Sequence, residues 1–355
     1  MNRKPRTMLA IMGCAIAGAM ALAIPPHPCF GQEPPWRGPV PEVRGHFGLV
    51  PEKFKEYRVI LEPDRNEAEW WAGAPSVVRD KSGVFWLACR MRTADAPYGL
   101  RGYEIRILRS ADGVRFSKVH SIPREKVPIP GFERPALLTD PQTGRFKLYG
   151  CGPWKGGPWS IIKFDDADDP TKFQPSSARA VIQAKPKSGP RDVVVDGYKD
   201  PFILYAEGAY HCFVIGTMRA ERLFHFQSRD GETWEPVGNP NEPVMNLTGW
   251  HNYFVRPASV VPLGAGYLFV YEGSHVTWCD PVYQIATGLS FTFDLHHIID
   301  LTPDSPLLVS TTPSDLFRTW RYSHWLNVGD ELWAYAEVAR PNRSSEIRLF
   351  RLPRK

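Results

Sequence analysis

The alternation of apolar and polar positions is most regular from Gly197 to Gly216, GYKDPFILYAEGAYHCFVIG. It has a polar entry ending at Pro201, an apolar run, a turn at Glu207 and Gly208, and a second run of alternating aromatic and aliphatic residues. Two period-2 runs joined by a few residues containing Gly predict a β-hairpin. The pattern returns in GAPSVVRDKSGVFWLACR from Gly73, ERPALLTDPQTGRFKLYG from Glu133 and VRPASVVPLGAGYLFVYEG from Val255. A fifth copy, WRYSHWLNVGDELWAYAEV from Trp320, carries Tyr322 where the others have proline. The anchors Pro75, Pro135, Pro201, Pro257 and Tyr322 stand 60, 66, 56 and 65 residues apart by subtraction. Near-constant spacing over the chain predicts a repeat architecture rather than an ordinary β-sandwich with similar hairpins.

Two hairpins are followed by a further strand and a turn of one type, RSADGVRF (Arg109 to Phe116) and QSRDGETW (Gln227 to Trp234). In such turns the Asp side chain accepts turn amides, Gly takes positive φ and the aromatic starts the next strand. FDDADDPTKF, Phe164 to Phe173, and ATGLSFTF, Ala286 to Phe293, read as degraded copies. With these turns each unit has four strands, the content of a propeller blade. The predicted fold is all-β, a five-bladed β-propeller of four-stranded antiparallel blades. EYRVILEP, Glu56 to Pro63, reads as a strand before the first hairpin, and SEIRLFRL, Ser345 to Leu352, as a third strand with no fourth behind it. A ring hides its edges only by closing, so the early strand is expected to complete the last blade.

The first residues follow another pattern. Arg3, Lys4 and Arg6 precede an apolar run from Met8 to Ile24 and then PPHPCFG, the features of a cleaved export signal. The expected organisation is a signal peptide over 1–31, an irregular arm rich in Pro and Gly over 32–48, and one propeller domain over 49–355. The mature chain is then secreted or periplasmic, with no further membrane segment. Losing those cations lowers Lys plus Arg from 43 to 40 against 38 acids, a net charge of about +2. That balance, without a basic run interleaved with aromatics, argues against a nucleic-acid partner. Cys89, Cys151, Cys212 and Cys279 lack the close spacing of a zinc or redox site and are expected to be free. The twelve Trp suit either wedges between blades or sugar stacking.

A KDP step opening a strand, followed by FILYAEGAYHCFVIG, resembles the RDP segment of invertases and levansucrases and the equivalent step of arabinanases and xylosidases. The S-x-D-G-x-x-W turns also recur in that superfamily of five-bladed β-propeller glycosidases, which includes mannosyl-glucose phosphorylases and anhydrogalactosidases. The resemblance covers nearly the whole mature chain at the level of blades and implies a carbohydrate substrate in a central funnel. It also implies that the residue before each repeated proline projects into that funnel. Those positions are Ala74, Arg134, Asp200, Arg256 and Arg321, of which only Asp200 matches the family's carboxylates. The first-blade nucleophile or base falls on Ala74 and the fourth-blade acid on Arg256. No cofactor is expected, and the resemblance allows a structural calcium ion on the axis.

Second strands return to the same mouth, which adds Arg90, Glu272 and Glu337. A carboxylate ending an apolar strand must be paired or solvated. Glu133, Asp192 and Asp196 are further carboxylate candidates. Glycoside hydrolysis needs a proton donor and a second carboxylate, which Asp200 with Glu272 or Glu337 supplies. Arg134, Arg256 and Arg321, with Lys199, Arg90 and Arg92, point to an anionic glycan or a phosphate co-substrate. The bland reading pairs them with the neighbouring acids. His251, His324 and Trp154 are expected sugar contacts. No metal-ligand spacing, nucleotide loop or serine elbow is present. The expected function is glycoside hydrolysis; a non-catalytic carbohydrate-binding propeller, a phosphorylase and a uronate lyase stay open. Oligomeric state is unknown from the sequence.

Overall fold

The computed structural model describes residues 54–185, 194–277, 284–310, 312 and 319–353. The predicted signal peptide and arm, Asp192 and Cys279 lie outside the described residues. Within them the chain is all-β, with short 3-10 turns between strands.

The strands are β1 (Arg58–Leu61), β2 (Trp71–Arg79), β3 (Phe85–Arg92), β4 (Gly102–Ser110) and β5 (Ser117–Pro123), then β6 (Ala136–Thr139), β7 (Phe146–Pro153), β8 (Trp159–Lys163) and β9 (Arg179–Ile182). There follow β10 (Tyr198–Ala206), β11 (Ala209–Met218), β12 (Ala220–Ser228) and β13 (Glu235–Pro236), β14 (Phe254–Pro262), β15 (Tyr267–Ser274), β16 (Ala286–Thr292) and β17 (Ile299–Asp300). The last are β18 (Trp320–Val328), β19 (Glu331–Ala339) and β20 (Ser345–Pro353). Each run from β2 to β5, β6 to β9, β10 to β13 and β14 to β17 is an antiparallel meander in sequence order. We call these the first to fourth sheets. In the fifth group β18, β19 and β20 are joined by β1, which pairs antiparallel with β20. One parallel bridge, Trp71 to Ser345, links this group to the first sheet.

Sheets with both faces covered read as buried runs rather than simple alternation, and all eight residues of β3, FWLACRMR, are buried. Apolar clusters fill the wedges between sheets. Trp86, Ile107, Phe132, Leu148 and Phe164 join the first sheet to the second, and Tyr149, Cys151, Tyr210, Cys212 and Trp234 join the second to the third. Cys89, Cys151 and Cys212 are free and buried, filling such wedges as small apolar groups.

The predicted turns form. Ser110 and Ser228 each receive amides through Oγ, while Asp112 accepts from the amides of Val114 and Arg115, and Asp230 from those of Glu232 and Thr233. The fourth-sheet copy is displaced from the expected 286–293: Asp294 accepts from the amides of His296 and His297. Leu295, at φ 64°, stands where Gly113 and Gly231 stand elsewhere.

First strands neighbour one another in cyclic order, β2 with β6, β6 with β10, β10 with β14, β14 with β18 and β18 with β2. Their starting ends therefore converge, and those ends carry the charged residues.

Candidate active site

Each first strand bulges where it starts, so three of its residues face two on the second strand. Gly73 pairs with Arg90, Lys199 with Ile215, Arg256 with Glu272 and Arg321 with Glu337, and regular pairing resumes at Ser76, Phe202, Ser259 and His324. In the second sheet the Glu133 amide donates to the Cys151 carbonyl, and pairing resumes at Ala136. Gly73, Glu133, Lys199, Arg256 and Arg321 thus stand at one level, and Ala74, Arg134, Asp200, Pro257 and Tyr322 at the next. This corrects the sequence alignment: Arg256 and Arg321 are not level with Asp200 but one residue earlier. Pro257 and Tyr322 occupy the Asp200 level, because the fourth and fifth copies place their anchors one residue off.

Ala74, Asp200 and Tyr322 take left-handed φ of 52°, 55° and 51°, a strained choice for residues with a Cβ. Each points its amide at the preceding sheet. Ala74 N–H donates to Glu337 Oε2 at 3.0 Å, Asp200 N–H to Cys151 Sγ at 3.2 Å, and Tyr322 N–H to Glu272 Oε1. Glu337, Glu272 and Cys151 hold equivalent second-strand positions, so one clamp recurs between sheets. The fourth sheet would meet Ile215, which accepts nothing, and there the chain has Pro257, which has no N–H. The second sheet meets the donor Arg90, and Arg134 N–H turns instead to Asp200 Oδ1 at 3.2 Å. Gly73 leaves room for the Glu337 carboxylate: an added Cβ would lie 1.8 Å from Oε2.

Around these clamps the charges are paired. Arg90 bonds Glu133 and reaches Glu337 Oε2 at 2.9 Å, and Arg321 bonds Glu337 Oε1 at 3.0 and 2.8 Å. Arg134 donates to the carbonyls of Pro257, at 2.8 Å, and Ala258. Arg256 and Lys199 both pair with Glu221, Lys199 at 2.5 Å. The tyrosine hydroxyl of Tyr322 donates to Asp200 Oδ2 at 3.0 Å, so one residue links Asp200 to Glu272. Arg90, Arg134, Arg256 and Arg321 are buried, as are Asp200, Glu272 and Glu337. The carboxylates that keep solvent contact are Glu133, with 10 % of its side chain exposed, and Glu221, with 19 %.

The electrostatics separate two of these acids. Burial pushes Glu272 up to about 7, against the pull of Arg134, Arg256 and Arg321. Burial also works against ionisation of Glu221, but Arg256 and Lys199 overcome it and hold that carboxyl at about 2. Glu133 is likewise resisted by burial and lowered by Arg90, Arg92, Arg321 and Lys199. Arg256 therefore pairs with a carboxyl held low and stands in register with one that burial pushes up.

Other predicted site residues are placed elsewhere. His251 is buried and fixed to Asp300 at 3.0 Å among Trp250 and Tyr271 in the fourth sheet. His324 lies beyond the bulge, its ring 5.6 Å from Phe202, and burial, then Arg134, lowers it to about 3. Trp154 packs on the apolar cluster between the first and second sheets. Sequence reasoning missed Glu221 and the hydroxyl of Tyr322. Glu221 sits in the β11–β12 hairpin, where an acid reads as solvated, and no sequence signal marks it.

Among the described residues no group of three His, Cys, Asp or Glu side chains is arranged to hold a metal ion. The Arg134 guanidinium reaches from the residues before β6 to the Pro257 and Ala258 carbonyls of β14, so a cation already takes these oxygens and the donor set does not fit an axial calcium ion. Among the described residues no helix is long and apolar enough to cross a membrane.

The chain shares a β-propeller fold with known structures. It resembles a structure of BT0996 in an RGII complex at a TM-score of 0.64 and 13 % identity, covering 84 % of this chain and 93 % of that one. It also resembles a β-1,2-mannobiose phosphorylase from Listeria innocua bound to β-1,2-mannobiose, at a TM-score of 0.58, 13 % identity, and 83 % and 94 % coverage. An α-L-arabinanase from Penicillium chrysogenum complexed with arabinobiose is similar at a TM-score of 0.54, 12 % identity, and 84 % and 97 % coverage. At such identities the likeness is one of fold. No protein-family model and no curated protein sequence matches the chain.

Proposed function

We propose that this protein is an exported glycoside hydrolase, a five-bladed propeller closed by β1, acting on a glycan at the mouth formed by the starting ends of the inner strands. The observation that carries the reading is Arg256, which bonds Glu221, a carboxyl held at about 2, and stands in register with Glu272, which burial pushes up to about 7. Two acids whose surroundings push them apart in this way are the signature of an acid–base pair. Glu272 is the proton donor and Glu221 the base, with Glu133 lining the same mouth. Asp200 positions Glu272 through Tyr322, and Glu337 is structural, because its oxygens are taken by two arginines and the Ala74 amide. Lys199 is the cation best exposed to read an anionic or hydroxyl-rich sugar, at 21 % side-chain exposure. The fold's likeness to structures holding mannobiose and arabinobiose supports a glycan as substrate.

The second reading is a glycan-binding propeller without catalysis. Complete burial of Glu272 and its use as a backbone clamp favour it. Product release from neutral, uronic and sulfated oligosaccharides distinguishes the two. Cleavage that falls by about 100-fold or more in both Glu272→Gln and Glu221→Gln supports the hydrolase. Binding without cleavage in all three proteins selects the second reading.

A further inference from the structure

The rim from the first to the third sheet carries aromatic side chains that the acid–base groups leave unused. Trp159 opens β8 opposite Pro153, just beyond the level of Cys151. It is half-buried, whereas most of the cluster it packs against is fully buried. Two glycines let loops close on it: a Cβ on Gly197 would lie 3.0 Å from the Trp159 Cβ, and one on Gly99 would lie 3.8 Å from the indole edge. The Lys199 ammonium stands 5.9 Å from the ring centroid.

Tyr98, beside Gly99, is 55 % exposed. Its ring is nevertheless held in place: the hydroxyl donates to Glu69 at 3.2 Å, and Arg101 lies 4.0 Å over the ring. Arg92 approaches the same ring at 5.8 Å. An exposed aromatic that is already ordered loses little freedom on binding. Beyond Tyr98 runs a groove of about 540 Å3 lined by Pro97, Leu100, Arg124, Val127 and Pro130. A half-buried indole with a cation over its ring, 5.9 Å from the centroid, matches a sugar ring, which offers an apolar C–H face and a hydroxyl rim.

We propose that Trp159 and Tyr98 form a binding wall for a sugar unit next to the one being cleaved, with Lys199 hydrogen-bonding its hydroxyls and the groove taking the chain beyond. This rests on the glycan-hydrolase reading. The wall selects longer oligosaccharides over disaccharides, because only a longer chain reaches past the acid–base groups.

Calorimetry and hydrolysis with arabino-, xylo- and manno-oligosaccharides of increasing length test it, using the wild type, Trp159→Ala, Trp159→Phe and Tyr98→Ala. Trp159→Ala is expected to weaken binding of the longer chains about ten-fold and to raise their KM far more than it changes turnover of a disaccharide substrate. Trp159→Phe keeps a stacking face and should stay within about three-fold of wild type. Tyr98→Ala alters an exposed side chain and is expected to weaken binding about three-fold, with an unchanged thermal melt separating that loss from any effect of releasing Glu69 and Arg101. Wild-type affinity retained by both Trp159→Ala and Tyr98→Ala overturns the wall while leaving the hydrolase reading intact. A wild type that binds none of these sugars and none of the uronic and sulfated oligosaccharides overturns both.

Discussion

Two buried ionic clusters in this protein have similar ingredients and different states. The outer one joins the second and third sheets: Lys163 bonds Asp166 at 2.6 Å and Glu232 at 2.5 Å, and Lys147 bonds Asp166 at 2.5 Å. Beside them the Tyr149 hydroxyl donates to the Gly231 carbonyl at 2.7 Å. Burial works to raise Asp166, but the two lysines outweigh it and keep the carboxyl ionised. The inner cluster, at the starts of the first strands, holds more charge yet is incompletely satisfied. Among the described residues Arg90 Nε, Arg134 Nε and Glu272 Oε2 have no hydrogen-bond partner, and burial pushes the Glu272 carboxyl up to about 7. A cluster that only fastens sheets settles into full pairing. One that retains orphan atoms, left-handed residues and a misfit carboxyl carries features that stability alone does not explain.

The sharpest way to break that contrast is Glu337→Ala. It strands Arg90 and Arg321 without their shared acid, and loss of one member of a buried ion pair costs about 3–5 kcal/mol. Urea denaturation should show that drop. A loss below about 1 kcal/mol would mean that water already reaches the inner cluster.

Glu272 tests the other half. Its folded value of about 7 lies above its ordinary 4.5, so the folded state binds the extra proton between those limits. Stability contributed by the neutral acid is present below pH 4.5 and is lost as pH rises through 7, to a limit of about 3 kcal/mol. Glu272→Gln removes that decline, so the variant should become more stable than the wild type at pH 8 and show a flatter pH profile in thermal melts. Parallel profiles would assign Glu272 a low value and remove it as proton donor.

In the outer cluster Lys163→Met should cost about 1–2 kcal/mol. Asp166 keeps Lys147 and the part-exposed Glu232 keeps Arg179, so little charge is stranded. A loss as large as that of Glu337→Ala would erase the distinction between the clusters. The smallest effect is a gain: Ala74→Gly relieves a left-handed alanine and should raise stability by about 0.5–1 kcal/mol. A loss instead would show that the Ala74 methyl packs at the mouth.

Much of the fold was legible. Proline-opened hairpins and S-x-D-G turns are local patterns, and local hydrogen bonds build them, as Ser110 with Asp112 and Ser228 with Asp230 do. The pairing of β1 with β20 also follows the expectation from a last unit that lacked a strand. Legibility fell at the bulges. Proline marks the second bulge residue in the first three sheets, but in the fourth Pro257 is the first, and in the fifth Tyr322 is. The alignment slipped there by one residue. At the candidate site Asp200 could be named through the family resemblance and Glu272 and Glu133 from strand position, whereas Glu221 could not.

The sequence by itself determined the repeating unit, its strand count and the end of each unit that gathers charge, because these depend on side-chain periodicity within a few tens of residues. Only the tertiary structure decided what those charges do. Arg90 finds Glu133 across 43 residues and Glu337 across 247, and a sheet's neighbour determines whether an acid clamps an amide, neutralises an arginine or keeps its proton. Protonation is a property of burial and of charges brought together in space, and neither quantity exists until the sheets have packed.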